Sequence, residues 1–65
     1  MDYRIITERR ALLGITQQEL SDYTGLSVRF INSVELGKAN PSINTLDKIA
    51  DVLGLEVIIK VKQPN

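Results

Sequence analysis

Thr16-Gln17-Gln18-Glu19-Leu20-Ser21-Asp22-Tyr23-Thr24-Gly25-Leu26-Ser27-Val28-Arg29-Phe30-Ile31-Asn32-Ser33-Val34-Glu35-Leu36 is the stretch that decides how this chain folds. Thr16 and Glu19 have the Thr-x-x-Glu spacing of a capping box, in which each side chain satisfies an orphan amide of a helix's first turn. The pattern predicts a helix from about Gln17 to Thr24, with Leu20 and Tyr23 as its apolar side. Gly25 ends it, because glycine is preferred where the backbone turns left-handed past a helix. Ser27 is the N-cap of a following helix, Val28 to Leu36, whose inward pair is Ile31 and Val34. The link Thr24-Gly25-Leu26-Ser27 is short enough to hold the two helices at a steep angle, with Leu26 buried beneath them.

The same punctuation extends outward in both directions. Gly14, Gly37 and Gly54 each follow apolar residues at helical spacing. Upstream, a helix from Tyr3 to Leu13 is predicted, with Asp2 as N-cap, Ile6 and Leu13 on one face, and Arg10 between them. Downstream of the Asn40-Pro41 turn, a helix starts at Ser42 or Asn44 and runs to Leu53, with Leu46, Ile49, Ala50 and Leu53 as a buried stripe. After Gly54 the period becomes two: Leu55, Val57, Ile59 and Val61 alternate with Glu56, Ile58, Lys60 and Lys62. Such β-branched alternation reads as a strand over Leu55–Lys62. The predicted fold is mainly α: four short helices in residues 1–54, then one C-terminal β-strand and short tail in 55–65. A lone strand leaves its amides and carbonyls unpaired. A second copy supplies the same strand in antiparallel order, so Leu55, Val57, Ile59 and Val61 are the expected homodimer interface, facing the helices of both subunits. Glu56, Lys60 and Lys62 then face solvent, with Ile58 the exception.

Composition narrows the function classes. The 65 residues make one domain. Cys and His are both absent, so disulfides are excluded and a structural zinc ion has no ligands. A core this small must rely on tight helix packing or oligomerisation. The commonest general base and the commonest low-pKa nucleophile are missing, and the carboxylates show no catalytic pairing. The chain reads as a non-enzyme with no catalytic residue, cofactor, metal or small-molecule ligand. No apolar run approaches a membrane span and the N-terminus lacks a signal-peptide core, so the expected compartment is the cytoplasm. The formal net charge of 0 argues by itself against a polyanion partner. Only the middle third leans basic, with Arg29 and Lys38 against Glu35.

Two brief helices joined by a Gly-containing turn form the helix-turn-helix signature, spanning about residues 17–36. In that motif the second helix lies in the DNA major groove. The runs Leu13-Gly14-Ile15-Thr16-Gln17-Gln18-Glu19-Leu20, Gly25-Leu26-Ser27, Ile31-Asn32-Ser33-Val34-Glu35-Leu36-Gly37-Lys38, Pro41-Ser42 and Leu46-Asp47-Lys48-Ile49-Ala50 closely resemble the lambda-repressor-like Xre/Cro-type repressors. The resemblance covers residues 4–54 and departs at Ser21, where the family usually has Ala. The run Leu53-Gly54-Leu55-Glu56-Val57-Ile58-Ile59 looks like the HipB-type antitoxins, whose C-terminal strands pair between subunits and which carry a longer tail.

Val28, Arg29, Asn32 and Ser33 share one face of the third helix, opposite Ile31 and Val34. Arg can bond a guanine, Asn an adenine, and Val can meet a thymine methyl, so these four are the candidate base contacts. In isolation an ordinary solvated face would explain them as well; the helix-turn-helix setting favours readout. Phe30 packs beside Val34 or meets a thymine. At the start of the second helix, free amides attract anions; Thr16, Gln17 and Gln18 add donors there, and Ser27 does so at the start of the third. Resemblance to the family implies that Gln17 grips a phosphate, that Lys38 and Asn40 form a second clamp, and that Arg10 pairs with Glu35 and also reaches phosphate.

The implied function is a sequence-specific repressor that binds a palindromic operator in double-stranded DNA as a homodimer, nucleoid-associated when bound. The HipB-like resemblance implies an autoregulating antitoxin with a kinase-like toxin as partner. The alternatives are a stand-alone Xre-type regulator, or a protein-interaction module that uses β-strand addition.

Overall fold

The computed structural model describes residues 3–63. Four helices follow in order: α1 Arg4–Leu13, α2 Gln17–Thr24, α3 Val28–Glu35 and α4 Ile43–Leu53. The starts of α2, α3 and α4 are set by side-chain caps. At α2 the box is complete: Glu19 N–H donates to Thr16 Oγ1 at 3.0 Å and Thr16 N–H to Glu19 Oε1 at 3.1 Å. Ser27 Oγ accepts from Phe30 N–H at 3.0 Å. Ser42 Oγ accepts from Thr45 N–H at 3.1 Å, which fixes the start of α4 at Ile43, between the two starts read from sequence. At α1 the N-cap position is Tyr3, with no side-chain cap bond; Asp2, the expected cap, lies outside the described residues.

Gly25 has φ 76° and donates its N–H to Ser21 O, a conformation that strains any residue with a Cβ. The Thr24 hydroxyl finishes the turn: it donates to Leu20 O at 2.7 Å and accepts from Leu26 N–H at 3.2 Å. Helix α3 ends at Glu35, with Leu36 as its C-cap.

All four helices feed one core of Ile6, Leu20, Ile31, Val34, Ile49 and Leu53, each at most 3% exposed. Full burial of a side chain of this kind is worth about 1.5–3 kcal/mol. Ala50 is buried as well, and Leu26, Phe30, Leu46 and Leu55 pack half-buried around the core. Arg9 on α1 donates from Nε to Leu53 O at 3.0 Å, tying α1 to the end of α4.

Two expectations about the core fail. Leu13 shares the angular position of Ile6 but is 46% exposed. At about 1.5 Å of rise per residue it lies roughly two turns along the axis, beyond the end of the core. Tyr23 is 63% exposed; the short α2 is anchored by Leu20, its one buried residue.

The C-terminal strand also requires correction. Among the described residues there is no β-strand, and 55–63 carry no regular secondary structure. A strand needs a ladder partner, and the rest of the described chain offers only helices and turns. Leu55 is half-buried and donates its N–H to Ala50 O at 2.9 Å. Val57 is half-buried, but Ile59 and Val61 are 79% and 91% exposed and do not face the helices of their own chain. Val57 and Ile58 instead line one groove of about 420 Å³ with Tyr3, Ile5 and Ile43.

Candidate nucleic-acid interface

Capping by Ser27 and burial of Ile31 and Val34 fix the rotation of α3. With those two side chains fully buried, Arg29 and Asn32 are exposed, while Val28 and Ser33 are half-buried. The carbonyl of Ser33 accepts the N–H groups of Lys38 at 2.8 Å and Ala39 at 3.2 Å. That pair of bonds folds the chain back after α3 and holds the loop that carries the exposed Lys38 and Asn40.

Behind α3 lies a polar hub on Glu35. Arg10 donates from Nε to Oε2 at 3.0 Å and from Nη2 to Oε1 at 2.9 Å, the bidentate geometry of strong Arg–carboxylate pairs. A third Arg10 nitrogen, Nη1, donates to Ile15 O at 3.1 Å. Thr7 Oγ1 donates to Glu35 Oε1 at 2.9 Å. Gln17 Nε2 donates to Glu35 Oε1 at 3.4 Å and to Asn32 Oδ1 at 3.2 Å. Burial pushes the Glu35 carboxyl up, but the hydrogen bonds from Arg10, Thr7 and Gln17 and the Arg10 charge outweigh it and hold the group below its ordinary value. The bond to Glu35 raises Arg10, against burial. Both stay charged, and α1, α2 and α3 are joined at one point. Among the described residues no buried side-chain N or O atom lacks a partner.

Residues 6–58 match the family described as Helix-turn-helix. The chain belongs to the Xre-type helix-turn-helix family. An uncharacterized HTH-type transcriptional regulator of Methanothermobacter thermautotrophicus is 39% identical over 83% of this chain and 78% of its own length. A prophage-derived uncharacterized HTH-type regulator of Bacillus subtilis is 32% identical over 82% of this chain and 49% of its own. The HTH-type transcriptional regulator PuuR of Escherichia coli is 30% identical over 92% of this chain and 32% of its own. The chain thus spans about half of the Bacillus relative and a third of the Escherichia one. No solved structure matches it.

Within the Xre-type helix-turn-helix, the anticipated phosphate donors sit in two kinds of surroundings. Thr16, Gln18, Ser27, Lys38 and Asn40 are exposed. The Thr16 and Ser27 oxygens accept cap bonds, which leaves their O–H groups able to donate outward. Gln18 Nε2 donates to Asp22 Oδ1 at 3.0 Å along α2. Arg10 and Gln17 are half-buried; each Arg10 nitrogen makes one bond inside the hub, and the Gln17 NH₂ makes two. Phe30 packs half-buried against the core. Sequence reasoning missed Thr7 as a hub member; its signal was position, three residues before Arg10 on the same face of α1. It also missed the link from Gln17 to Asn32, for which the sequence carries no local signal. Among the described residues no helix is long and apolar enough to cross a membrane.

Proposed function

We propose that this chain is a sequence-specific transcriptional repressor that lays α3 in the major groove of a two-fold symmetric operator. The observation that carries the reading is the split of α3: Ile31 and Val34 fully buried, Arg29 and Asn32 presented outward on the same two turns. Arg29 and Asn32, with Val28 and Ser33 beside them, are the base contacts. Thr16, Gln18, Ser27, Lys38 and Asn40 are the phosphate contacts around them, with Arg10 and Gln17 supporting from behind. Relatives named as HTH-type transcriptional regulators support the regulatory role.

The operator is bound as a homodimer. The exposed, β-branched Ile59 and Val61 and the lack of regular secondary structure over 55–63 support pairing of this segment with its copy. The HipB-like character of 53–59 favours an antitoxin that represses its own operon, with a kinase-like toxin as partner; a stand-alone regulator is the alternative. Selection of sites from a random DNA pool tests the reading. A two-fold symmetric motif with half-sites about one helical turn apart is the expected result. Recovery of no motif, together with association of the chain with a protein through its tail, favours the interaction-module reading for which the same exposed segment speaks. Co-purification with the product of the neighbouring gene tests the toxin.

A further inference from the structure

The hub does more than hold α1 to α3, because its hydrogen bonds have a direction. The oxygen and nitrogen of an Asn or Gln carboxamide exchange places on a half-turn, so their assignment rests on their partners. Here one partner leaves no choice. The ionised carboxylate of Glu35 only accepts, so the Gln17 atom facing it is the nitrogen Nε2, 3.4 Å from Oε1. The same nitrogen faces Asn32 at 3.2 Å. A second NH₂ there would set donor against donor, so the Asn32 atom facing Gln17 is its oxygen. Both Gln17 amide hydrogens are then spent, and the Asn32 oxygen is engaged. The Asn32 NH₂ group takes no part in this network and sits on an exposed residue of α3.

From this geometry we infer that Glu35, acting through Gln17, fixes the orientation of the Asn32 carboxamide with its NH₂ turned outward, so that residue 32 reads a hydrogen-bond acceptor on a base edge. Glu35 and Gln17 are positioning residues; Asn32 is the reader. In the major groove guanine offers the acceptors N7 and O6, adenine N7 and thymine O4, whereas cytosine offers the donor N4–H₂. A locked Asn32 therefore bonds guanine, adenine or thymine and rejects cytosine, and it forgoes the bidentate bond to adenine, which needs its oxygen as well. A freely turning Asn32 would accept cytosine through its oxygen. The lock also changes the role of Gln17, whose two donors point into the protein rather than toward a phosphate. The inference rests on the proposed DNA-binding function.

The test has two arms. In the first, Asn32→Ala locates the base pair whose preference depends on residue 32 in sites selected by the unaltered protein. At that position the unaltered protein discriminates guanine from cytosine by about tenfold, the lower part of what one good base contact supplies. Gln17→Met, which keeps length and loses polarity, reduces that ratio to about twofold or less. Gln17→Lys, a donor only, restores it whatever its added charge does to overall affinity. Uniform weakening of all sequences by Gln17→Met, with the ratio intact, means that Gln17 is a phosphate contact and overturns the inference. So does a preference for cytosine, or no change of preference in Asn32→Ala. In the second arm, side-chain amide resonances are recorded for the free protein. Both Gln17 amide protons are shifted downfield and slow to exchange, Asn32→Ala moves them, and the Asn32 amide protons exchange at the rate of exposed amides. The reverse pattern overturns the lock even if no DNA is bound. Absence of DNA binding with the resonances as described counts against the proposed function alone.

Discussion

Arg10 and Glu35 meet across α1 and α3 through two hydrogen bonds of 3.0 and 2.9 Å, with side chains 17% and 5% exposed. A pair this far from water contributes less through attraction than it costs when half of it is removed, because the remaining charge is left without its partner. Arg10→Ala should cost about 2–3 kcal/mol, below the roughly 3–5 kcal/mol of fully buried pairs since Arg10 keeps some solvent. In a domain of this size that lowers the melting temperature by about 10 °C or more. The double variant Arg10→Met/Glu35→Leu should recover most of the loss. Thermal melts of the four members of the cycle check this; equal destabilisation by the single and double variants would count against an uncompensated charge as the cause.

Acid should act on the same pair. Glu35 is held below its ordinary value of 4.5 in the folded chain. A depressed carboxyl contributes stability that is present above the unfolded value and lost as pH falls through the folded one. Melting temperature should therefore be insensitive to Glu35 above about pH 5 and decline below its ordinary range. Glu35→Gln should lower stability at neutral pH and flatten that decline. Arg10, raised from an already high value, adds no titration in the working range. Melts between acid and neutral pH for both proteins decide it; parallel curves would assign the acid loss to other carboxylates.

Arg29 and Lys38 are both exposed cations, but their surroundings assign them different work. Arg29 sits in the first turn of α3, and Lys38 in the loop held by Ser33. Arg29→Ala should cost about 1–3 kcal/mol on the best operator and relax preference at one base pair per half-site. Lys38→Ala should weaken all sequences alike, since phosphate contacts carry no sequence information. With about four to six phosphates neutralised per dimer, log K should fall with log salt at a slope of roughly −4 to −5, and Lys38→Ala should make it shallower. A salt titration on several sites checks both variants. Uniform weakening by Arg29→Ala would place the reading face elsewhere.

What sequence could reveal here follows from the range of each interaction. The caps at Thr16, Ser27 and Ser42 act within three residues of themselves, so α2, α3 and the start of α4 were legible locally. Periodicity named Ile31, Val34, Ile49 and Leu53 correctly because each lies on a helix flanked on that side by others. It failed at Leu13 and Tyr23 because angular position does not say where the neighbouring helix ends. The Arg10–Glu35 pair, 25 residues apart, was legible only through resemblance, and the Gln17–Asn32 contact was not legible at all. The strand pattern of 55–62 is plain in the sequence, yet a strand forms only against a ladder partner, and the described residues offer it none.

That last point makes the tail the place where monomer and dimer can be told apart. Ile59 and Val61 have almost no contact with their own helices, being 79% and 91% exposed, whereas Leu55 packs on the core. Substitutions at the two ends of the segment should therefore fail in different ways. Ile59→Lys removes nothing from the isolated fold, so the variant should keep its helical circular dichroism. If residues 55–62 pair with their copy, it forfeits about 1.5–3 kcal/mol per subunit of apolar burial and sets two lysines into the ribbon. A two-stranded ribbon is marginal alone, so that loss should yield monomers at micromolar concentration. Those monomers should have a melting temperature that no longer rises with protein concentration, and weakened operator binding. Leu55→Lys should instead destabilise the helical domain itself, at any concentration. Sedimentation of the unaltered chain and of both variants separates the cases. A well-folded monomer from the unaltered chain at micromolar concentration would rule out pairing through this segment, and leave the exposed Ile59 and Val61 to be covered by something other than a second copy.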